Sequence, residues 1–364
     1  MSDRDHVTLF DQAIHALLRD AVRICAGEPA MAALLLRILR QQRRAVRRRR
    51  ASAAAGIEVP PLLIMSVTQR CNLRCKGCYA QALHRDAAAE LSREEVGRLL
   101  DEAHELGISI VLLAGGEPLL RPELLDLAQS RREMLFALFT NGILLDDALI
   151  ARLAQQRHVI PVISLEGHQA DTDARRGLGV HAHSLQIMER LRQRGLFFGT
   201  SMTVTRENYG TLSSPAYLAD LIASGCRLFF FVEYVPTVPG TEDLVLTEAQ
   251  RAGLPAVLEE LRGALPGLFV ELPGDEELYG GCLAAGRGFV HISADGRLEP
   301  CPFAPFSDVS VRDTTLADAL RSPFLRTLRE SDLHLAETRG GCSLWAQRDR
   351  VTALLGQHAS IPLE

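Results

Sequence analysis

The sequence predicts an α/β fold: a partial (β/α)6 TIM barrel with an N-terminal helical extension and a small C-terminal α+β region. The first observation is that short apolar runs alternate with helical stretches from residue 62 onward, as in β/α units with a parallel sheet. The second is that polar motifs follow these runs, where the carboxyl ends of parallel strands bind ligands. Six units make a partial barrel the simplest closure, although a doubly wound open sheet would give the same one-dimensional pattern.

Length and composition fit a globular enzyme-sized chain. The protein has 364 residues, of which 47% are apolar and 23% charged, so it can bury a substantial core. A net charge of −5 argues against a dedicated nucleic-acid-binding protein. The charged first residues indicate no secretory signal, and no apolar run approaches the roughly 20 residues that span a bilayer. Eight cysteines in a chain expected in the reducing cytoplasm suggest metal ligands rather than disulfides.

Residues 1–58 are predicted to be helical. Residues 7–25 have helical periodicity, and a second pattern places Leu34, Leu35 and Ile38 on one face before an arginine-rich segment. One interpretation is a basic amphipathic helix on an anionic membrane surface, at the inner face of the membrane. The other, which we favour because such faces are common, is a helix packed on the barrel with its arginines in solvent.

The barrel, residues 59–267, is predicted to begin after a small-residue and proline linker at 51–61. A helix over residues 92–106 is opened by a capping box, Ser92 with Glu95 three residues later. A second helix over 247–265 begins at a Thr cap. The predicted strands are 62–67, 109–113, 134–139, 159–164, 197–204 and 228–233.

Three cysteines directly after the first predicted strand are the strongest chemical signal. Cys71, Cys75 and Cys78 have a C-x3-C-x2-C spacing, and soft thiolates on one short loop suit an iron–sulfur cluster or zinc. A tetrahedral cluster has four corners, so three ligands leave one corner open. A zinc knuckle is the alternative, but zinc sites usually combine a closer cysteine pair with a distant second pair.

This loop resembles that of the radical S-adenosylmethionine (radical SAM) enzymes, and the resemblance continues over roughly residues 60–240. It implies that the three cysteines hold a [4Fe–4S] cluster whose fourth iron binds SAM through its amine and carboxylate. It also implies reductive cleavage of SAM to methionine and a 5′-deoxyadenosyl radical, which abstracts hydrogen from an unactivated C–H bond. The residue before the last cysteine is often aromatic in the family; here it is Gly77, and Tyr79 is expected to serve instead.

Motifs after the second and third predicted strands extend the resemblance. Gly115, Gly116, Glu117 and Pro118 are similar to the family's GGEP motif, which implies that they bind the SAM amine. Paired glycines also let backbone carbonyls approach a ligand closely. Asn141, in a Thr-Asn-Gly segment similar to the family's, either contacts SAM or belongs to an ordinary strand-ending turn.

The fourth and fifth predicted strands carry further candidates. Ser164 and Glu166 are similar to a family S-x-D-G segment, with Glu in place of Asp, which implies a hydrogen bond to the SAM ribose or carboxylate. Arg176, in a D-x-x-R motif of relatives, pairs with a carboxylate or forms a surface ion pair. Ser201 or Thr203 faces the methionine moiety; because strand residues alternate, we expect only one of them to point inward.

The sixth predicted strand is the most aromatic run of the chain and should end at the substrate pocket. Glu233 and Tyr234 are candidates to move a proton or orient a substrate there. The alternative is core packing with a polar terminus.

The C-terminal third, residues 268–364, is predicted to leave the β/α alternation. Short strands are expected at 269–272 and 288–293, with a hairpin turn at Asp295-Gly296. Cys282 and Cys301 are spaced like the opening of the SPASM and Twitch auxiliary-cluster domains, which, with Cys342, implies a second iron–sulfur cluster. Its fourth ligand is open, with Cys226 and His291 as candidates; the alternative is three buried thiols without metal.

The favoured function is therefore a radical SAM enzyme. The resemblance implies a reductase, ferredoxin or flavodoxin as electron donor, and a peptide, lipid or small cofactor precursor as substrate. The alternative is a non-enzymatic iron–sulfur electron carrier or peptide-binding scaffold. An electron carrier needs no SAM cradle, so the segment 115–118 argues against it.

Overall fold

The protein is organised around one curled sheet of nine strands. Its structure, a computed structural model, describes residues 5–24, 29–83, 90–272, 281–335 and 342–357. The strand order is β7-β6-β5-β4-β3-β2-β1-β8-β9, and every neighbouring pair is parallel except β8 and β9. The predicted partial barrel is confirmed. The strands are β1 (Leu62–Ser66), β2 (Ile110–Ala114), β3 (Leu135–Thr140), β4 (Val159–Ser164), β5 (Gly199–Val204), β6 (Leu228–Glu233), β7 (Leu268–Leu272), β8 (Phe289–Ile292) and β9 (Leu298–Glu299).

The outer face of the sheet is covered by helices, which gives the main core. Alternate strand residues such as Leu63 and Met65 pack outward against Leu99 and Leu100 of the helix layer and are fully buried. Ser92 forms the predicted capping box with Glu95, and Thr247 is the predicted cap, here in a capping box with Gln250. The helices after β1 are α3 (Tyr79–Ala82), α4 (Arg93–Leu106), α5 (Leu124–Ser130), α6 (Asp147–Gln155), α7 (Gln169–Arg176), α8 (Val180–Gln193), α9 (Tyr209–Leu212), α10 (Pro215–Ala223) and α11 (Glu248–Ala264).

Two N-terminal helices cover the amino-terminal end of the barrel. They are α1 (Asp5–Ile24) and α2 (Pro29–Ala54). Ile14 and Leu35 pack with inward-facing sheet residues such as Leu112 and Phe230 in a second core. The buried Arg49 pairs with Asp11 of α1 at 2.5 Å and donates to the Gly107 carbonyl before β2. α2 therefore packs on the barrel, and it continues into the predicted linker because its alanines favour helix.

The C-terminal part returns to the same sheet, contrary to the expectation that the alternation stops after residue 265. β7 pairs with β6 as a seventh parallel strand, and β8 pairs with β1 on the other side. The hairpin turn at Asp295-Gly296 is confirmed, since β8 and β9 are antiparallel and Gly296 has a positive φ of 89°. The division of the chain into domains at 58 and 267 stays a prediction. The remaining helices are α12 (Leu316–Ala319), α13 (Pro323–Glu330), α14 (Ser343–Ala346) and α15 (Arg348–Gly356).

None of the helices in the described part of the chain combines the length and the apolar character needed to span a bilayer.

Candidate active site

The curled sheet encloses a cavity of about 840 Å³. It runs from the loop with Cys71, Cys75 and Cys78, at the carboxyl ends of the strands, down to α1. Pro118, which opens a 3₁₀ turn, and Glu166 lie outside its lining. Besides the three loop cysteines, the predicted residues that line the cavity are Tyr79, Gly115, Gly116, Glu117, Asn141, Ser164, Arg176, Thr203, Glu233, Tyr234, Cys282, Cys301 and Cys342.

The cysteine loop is half-buried and tied to the barrel wall. The Lys76 amide donates to the Arg175 carbonyl at 2.8 Å, and the Leu73 amide approaches the Cys71 sulfur at 3.4 Å. Burial raises the pKa of the Cys71 and Cys75 thiols, and for Cys75 the nearby Arg176 opposes that rise. A positive charge and an amide beside the sulfurs stabilise thiolates, the form that binds metal.

The zinc alternative stays a hypothesis. Among the residues that the structure describes, no three His, Cys, Asp or Glu side chains come close enough to hold a single metal ion. A structural zinc site instead gathers four ligands about 2.0–2.3 Å from one ion. None of the seven cysteines that the structure describes forms a disulfide, and Cys25 lies outside the described residues.

The two glycines after β2 let this loop run against the start of the cysteine loop. A Cβ on Gly115 would lie 2.3 Å from the Thr68 carbonyl oxygen, and one on Gly116 would lie 2.1 Å from the Arg70 carbonyl oxygen. The Gly116 amide donates to Thr68 at 2.7 Å, and the Glu117 amide donates to Arg70 at 2.8 Å. The close approach that we expected toward a ligand is thus made toward the backbone of the neighbouring loop.

Glu117 is buried and already holds several donors. Its Oε1 accepts from the Thr140 hydroxyl at 2.7 Å and the Leu119 amide at 3.0 Å, and its Oε2 accepts from the Asn141 amide at 2.8 Å. Burial raises the pKa of this carboxyl, and the Asn141 amide and Thr140 hydroxyl counteract the rise. Glu117 therefore joins the loops after β2 and β3 into one wall of the cavity.

Asn141 connects that wall to the cysteine loop. Its Nδ2 donates to Asn72 Oδ1 at 2.8 Å and lies 4.0 Å from the Cys71 sulfur, while its Oδ1 accepts from the Ile143 amide. Asn141 thus belongs to a strand-ending turn and also lines the cavity, and its contact with SAM stays a prediction.

Glu166 and Arg176 form a buried ion pair next to Cys75. Glu166 accepts from Arg175 at 2.6 Å, from Arg176 Nε at 2.8 Å and from the Thr203 amide at 2.9 Å. The second Arg176 nitrogen, Nη1, lies 3.9 Å from the Cys75 sulfur. Burial alone would lower the pKa of Arg176, but the charges of Glu166, Cys75 and Cys78 and the hydrogen bond to Glu166 together outweigh it, so the pKa is raised.

These contacts correct two expectations. Glu166 is 1% exposed and saturated by arginines, so it is not placed to hydrogen-bond a ribose. Arg176 does not form a surface ion pair with Asp173, because Asp173 instead accepts from the backbone amides of Gly179 and His181.

The hydroxyl residues at the ends of β4 and β5 face the cavity together. Ser164, Ser201 and Thr203 all line it, which contradicts the expectation that only one of Ser201 and Thr203 points inward. Residues two positions apart on a strand lie on the same face, so the two side chains share the inner surface without a bulge.

At the end of β6, Glu233 and Tyr234 are both anchored. Glu233 accepts from Arg251 Nε at 2.8 Å, while burial raises the pKa of its carboxyl. The Tyr234 hydroxyl donates to Thr241 at 2.6 Å. A Cβ on Gly77, whose φ is +68°, would lie 2.4 Å from that hydroxyl oxygen. Tyr234 therefore covers the glycine of the cysteine loop.

Tyr79 turns toward the C-terminal cysteines. Its ring lies 4.7 Å from the ring of Phe303, and burial together with the nearby Cys78 and Cys301 raises the pKa of its hydroxyl. Cys282, Cys301 and Cys342 are buried and line the same cavity. Cys342 also caps α14, with its sulfur 3.5 Å from the Trp345 amide.

The two suggested fourth ligands have other partners. The Cys226 thiol is buried outside the cavity lining and donates to the Leu228 carbonyl. His291 uses both ring nitrogens, one with Ser66 and one with Glu299, each at 2.8 Å. Neither side chain is free to complete a cluster without losing these bonds.

Sequence reasoning missed the cations that hold the acidic residues. Arg175 and Arg251 were not identified, although each contacts a predicted site residue, Glu166 and Glu233 respectively. The adjacent arginines at 175 and 176 were a usable signal, since both follow the strand that carries Glu166. Arg251 gave none, because it lies on α11 and reaches back 18 positions to its partner.

Comparison with known proteins identifies relatives over most of the chain. The profile of the "Radical SAM superfamily" matches residues 65–213. Mycofactocin maturase MftC of Mycobacterium ulcerans is 31% identical over 315 residues, which cover 79% of this chain and 84% of that protein. Fe-coproporphyrin III synthase of Methanosarcina barkeri is 31% identical over 209 residues, or 56% of this chain and about half, 52%, of that relative.

A similar fold occurs among solved structures. Streptococcus suis SuiB bound to S-adenosylmethionine superposes with a TM-score of 0.64 at 18% identity, covering 86% of this chain and 78% of SuiB. At this identity the similarity concerns the fold, which agrees with the partial barrel described above.

Proposed function

Because this chain belongs to the radical SAM superfamily, we propose that Cys71, Cys75 and Cys78 hold three irons of its [4Fe–4S] cluster and that the surrounding strand ends bind SAM. The observation that carries the proposal is that these three thiols face one cavity together with the loops after β2, β3 and β4. Three thiols on one loop, with a cation and a backbone amide beside the sulfurs, suit a cluster that keeps one corner open.

The protein is an enzyme, as its family membership implies, with a [4Fe–4S] cluster and SAM as cofactors. When bound, they supply a radical able to remove a hydrogen atom from an unactivated C–H bond. This chain's own residues prepare the place for that chemistry. Arg176 offsets negative charge at the Cys75 sulfur, Glu117 fixes the loop wall, and the curled sheet limits the access of water.

For SAM itself, the candidate contacts are backbone and hydroxyl groups. Gly115 and Gly116 expose backbone beside the cysteine loop, and Asn141, Ser164 and Thr203 line the same wall. We assign the SAM amine to the backbone of this segment rather than to the Glu117 carboxylate, because that carboxylate already accepts three hydrogen bonds.

The test is anaerobic reconstitution followed by addition of dithionite and SAM. We expect 5′-deoxyadenosine from the wild-type protein and none above background from the variant with Cys71, Cys75 and Cys78 changed to Ala. Cys226→Ala is the matched control, because this buried thiol lies outside the cavity lining. No product from a fully loaded wild-type cluster would favour the electron carrier or peptide-binding scaffold instead.

A second cluster is proposed at Cys282, Cys301 and Cys342. They are buried and line the same cavity as the first cysteine loop. The variant with all three changed to Ala should lose the iron of one cluster while retaining the spectrum of the other. If the iron content of this variant equals that of the wild type, the proposal of a second cluster is wrong.

The substrate is proposed to be a peptide or a small cofactor precursor. Two relatives carry names of these kinds, a mycofactocin maturase and an Fe-coproporphyrin III synthase. Glu233 and Tyr234 are the proposed substrate-facing residues of the upper cavity. Glu233 has one oxygen fixed by Arg251, which orients the carboxylate for a hydroxyl or ammonium group.

The electron donor is proposed to be an acidic carrier such as a ferredoxin or flavodoxin, or a reductase. Arg74 and Lys76, on the loop between the cluster cysteines, are exposed and give that surface a positive charge. Arg74→Glu with Lys76→Glu should slow reduction by flavodoxin and leave reduction by dithionite unchanged. Arg47→Glu with Arg50→Glu, on the distant α2, is the control; an equal effect of both pairs would contradict docking at the loop.

A peripheral membrane contact through α2 is also proposed. Its outer face exposes six arginines: Arg37, Arg40, Arg43, Arg44, Arg47 and Arg50. Each basic residue near an anionic lipid surface contributes about 1 kcal/mol to binding. Co-sedimentation with phosphatidylglycerol vesicles, but not phosphatidylcholine vesicles, should disappear on Arg40→Glu with Arg47→Glu. Absence of wild-type co-sedimentation would refute the contact.

A further inference from the structure

The lower part of the cavity, between the amino-terminal halves of the strands and α1, is lined mainly by apolar side chains; Arg262 and Glu271, on the side of β7, also line the cavity. We call it the lower chamber. Inward-facing side chains of β1, β2 and β6 meet there, and all of them are apolar: Leu62, Ile64, Ile110, Leu112, Leu228 and Phe230. Several of these side chains are only partly buried, because their remaining surface faces the cavity rather than other side chains.

α1 closes the chamber from below with the same chemistry. Ala13, Ile14 and Leu17 line the cavity from this helix. The charged residues that α1 adds to the lining, Asp20 and Arg23, form an exposed ion pair near its end, at the solvent edge. The floor of the chamber is therefore as apolar as its walls.

The upper part of the cavity contrasts with it. There Asn141, Ser164 and Thr203 provide hydrogen-bonding groups beside the cysteine loop. Polar contacts to SAM are thus available only near the strand carboxyl ends. An amide buried in the lower chamber would lose its hydrogen bonds to water without gaining protein partners, which is strongly unfavourable.

We propose that the lower chamber binds a hydrocarbon body of the substrate, a part that carries no amide groups. A peptide backbone does not fit this requirement, whereas an apolar cofactor precursor or a long acyl chain does. The inference rests on the proposed function, since the cysteine loop above the chamber is what makes its occupant a substrate. It also gives α1 a role: this helix forms the floor of the substrate site.

The test uses two probes that share this chemistry and differ in shape. One is cis-parinaric acid, a fluorescent long-chain fatty acid, and the other is pyrene, a planar fluorescent hydrocarbon. Anaerobically reconstituted holoenzyme is titrated with each. We expect at least one to bind, and Ala13→Phe, which fills the floor, to weaken its affinity about tenfold or more. Gln12→Phe, on the exposed side of the same helix, should bind like wild type.

A second variant protects the test against misfolding. Leu17→Ala enlarges the chamber and should retain or tighten binding of the probe that wild type binds. If neither probe binds to wild type, or if Ala13→Phe and Gln12→Phe bind equally well, the proposal is wrong. Formation of 5′-deoxyadenosine without substrate should stay within about twofold of wild type in Gln12→Phe, whose side chain lies outside the chamber lining. Failure of that assay in wild type would refute the proposed function separately from the lower chamber.

Discussion

The upper and lower parts of the cavity are built on opposite principles. Around the cysteine loop, polar side chains have specific partners: Glu166 holds two arginines, and Glu117 holds three donors. In the lower chamber, side chains such as Leu112 and Phe230 only fill space. The difference means that the upper part depends on chemical identity, while the lower part depends on volume.

The largest effect is expected from a conservative change in the upper part. Glu166→Gln keeps the side-chain shape but leaves Arg175 and Arg176 buried without their counter-charge. We expect the free energy of unfolding to fall by about 3–5 kcal/mol, measured by chemical denaturation. Glu189→Gln, in an exposed pair with Arg192, is the control and should hardly change stability. Similar losses in both variants would contradict the importance of burial.

A change in the lower chamber should depend on size alone. Leu112→Ala is expected to cost about 2 kcal/mol, the lower end for a truncated core leucine, since part of this side chain already faces the cavity. Leu112→Met, which conserves volume, should cost less than about 1.5 kcal/mol. Thermal unfolding of both variants is the measurement. If methionine is as harmful as alanine, the lower chamber is more specific than we infer.

The glycine segment after β2, Gly115 and Gly116, offers a third comparison. Gly116→Ala would place a methyl group 2.1 Å from the Arg70 carbonyl oxygen and should cost about 1–3 kcal/mol, with weaker SAM binding. Gly263→Ala, at a position on α11 with no atom within 4 Å of the new Cβ, should instead stabilise the protein by about 0.5–1 kcal/mol. Equilibrium denaturation and SAM titration of the two variants separate steric conflict from any general effect of losing a glycine.

The smallest effect is expected where one hydrogen bond is removed and the packing is kept. Tyr234→Phe loses the bond to Thr241 but leaves the ring over Gly77, so we expect a loss of about 0.5–1.5 kcal/mol and an intact cluster. Tyr234→Ala uncovers the loop and should also disturb the cluster, visible in its electron paramagnetic resonance spectrum. An unchanged spectrum in Tyr234→Ala would show that the ring does not position the loop.

The sequence was sufficient for features set by local spacing. Apolar runs such as 159–164 and 228–233 coincide with β4 and β6, and the Ser92 capping box begins α4 as predicted. Local physics determines these elements, because a strand or a cap depends on residues close together in the chain. The positions of the cysteine loop and the glycine segment at the strand ends followed from the same reasoning.

The features that the sequence did not predict depend on partners that are distant in the chain. The sequence left Arg176 either paired with a carboxylate or in a surface ion pair, and its observed partner is the buried Glu166, ten positions away. Tyr234 covers Gly77 from 157 positions away, and no motif spacing indicates such a contact. The strand β7 was predicted, but its place as a seventh parallel strand of the barrel was not, because a five-residue run does not indicate which sheet it joins.

Arg49 ties α1 and α2 to the barrel through Asp11 and the Gly107 carbonyl, with its side chain almost fully enclosed. In a shortened protein that begins at residue 59, the amino-terminal end of the barrel would be open and the apolar side chains of the lower chamber would be exposed to water. We expect such a protein to aggregate. Chimeras between this enzyme and its relatives should exchange the first 58 residues together with the barrel. We therefore expect α1 and α2 to be an integral part of the barrel fold and not a removable extension.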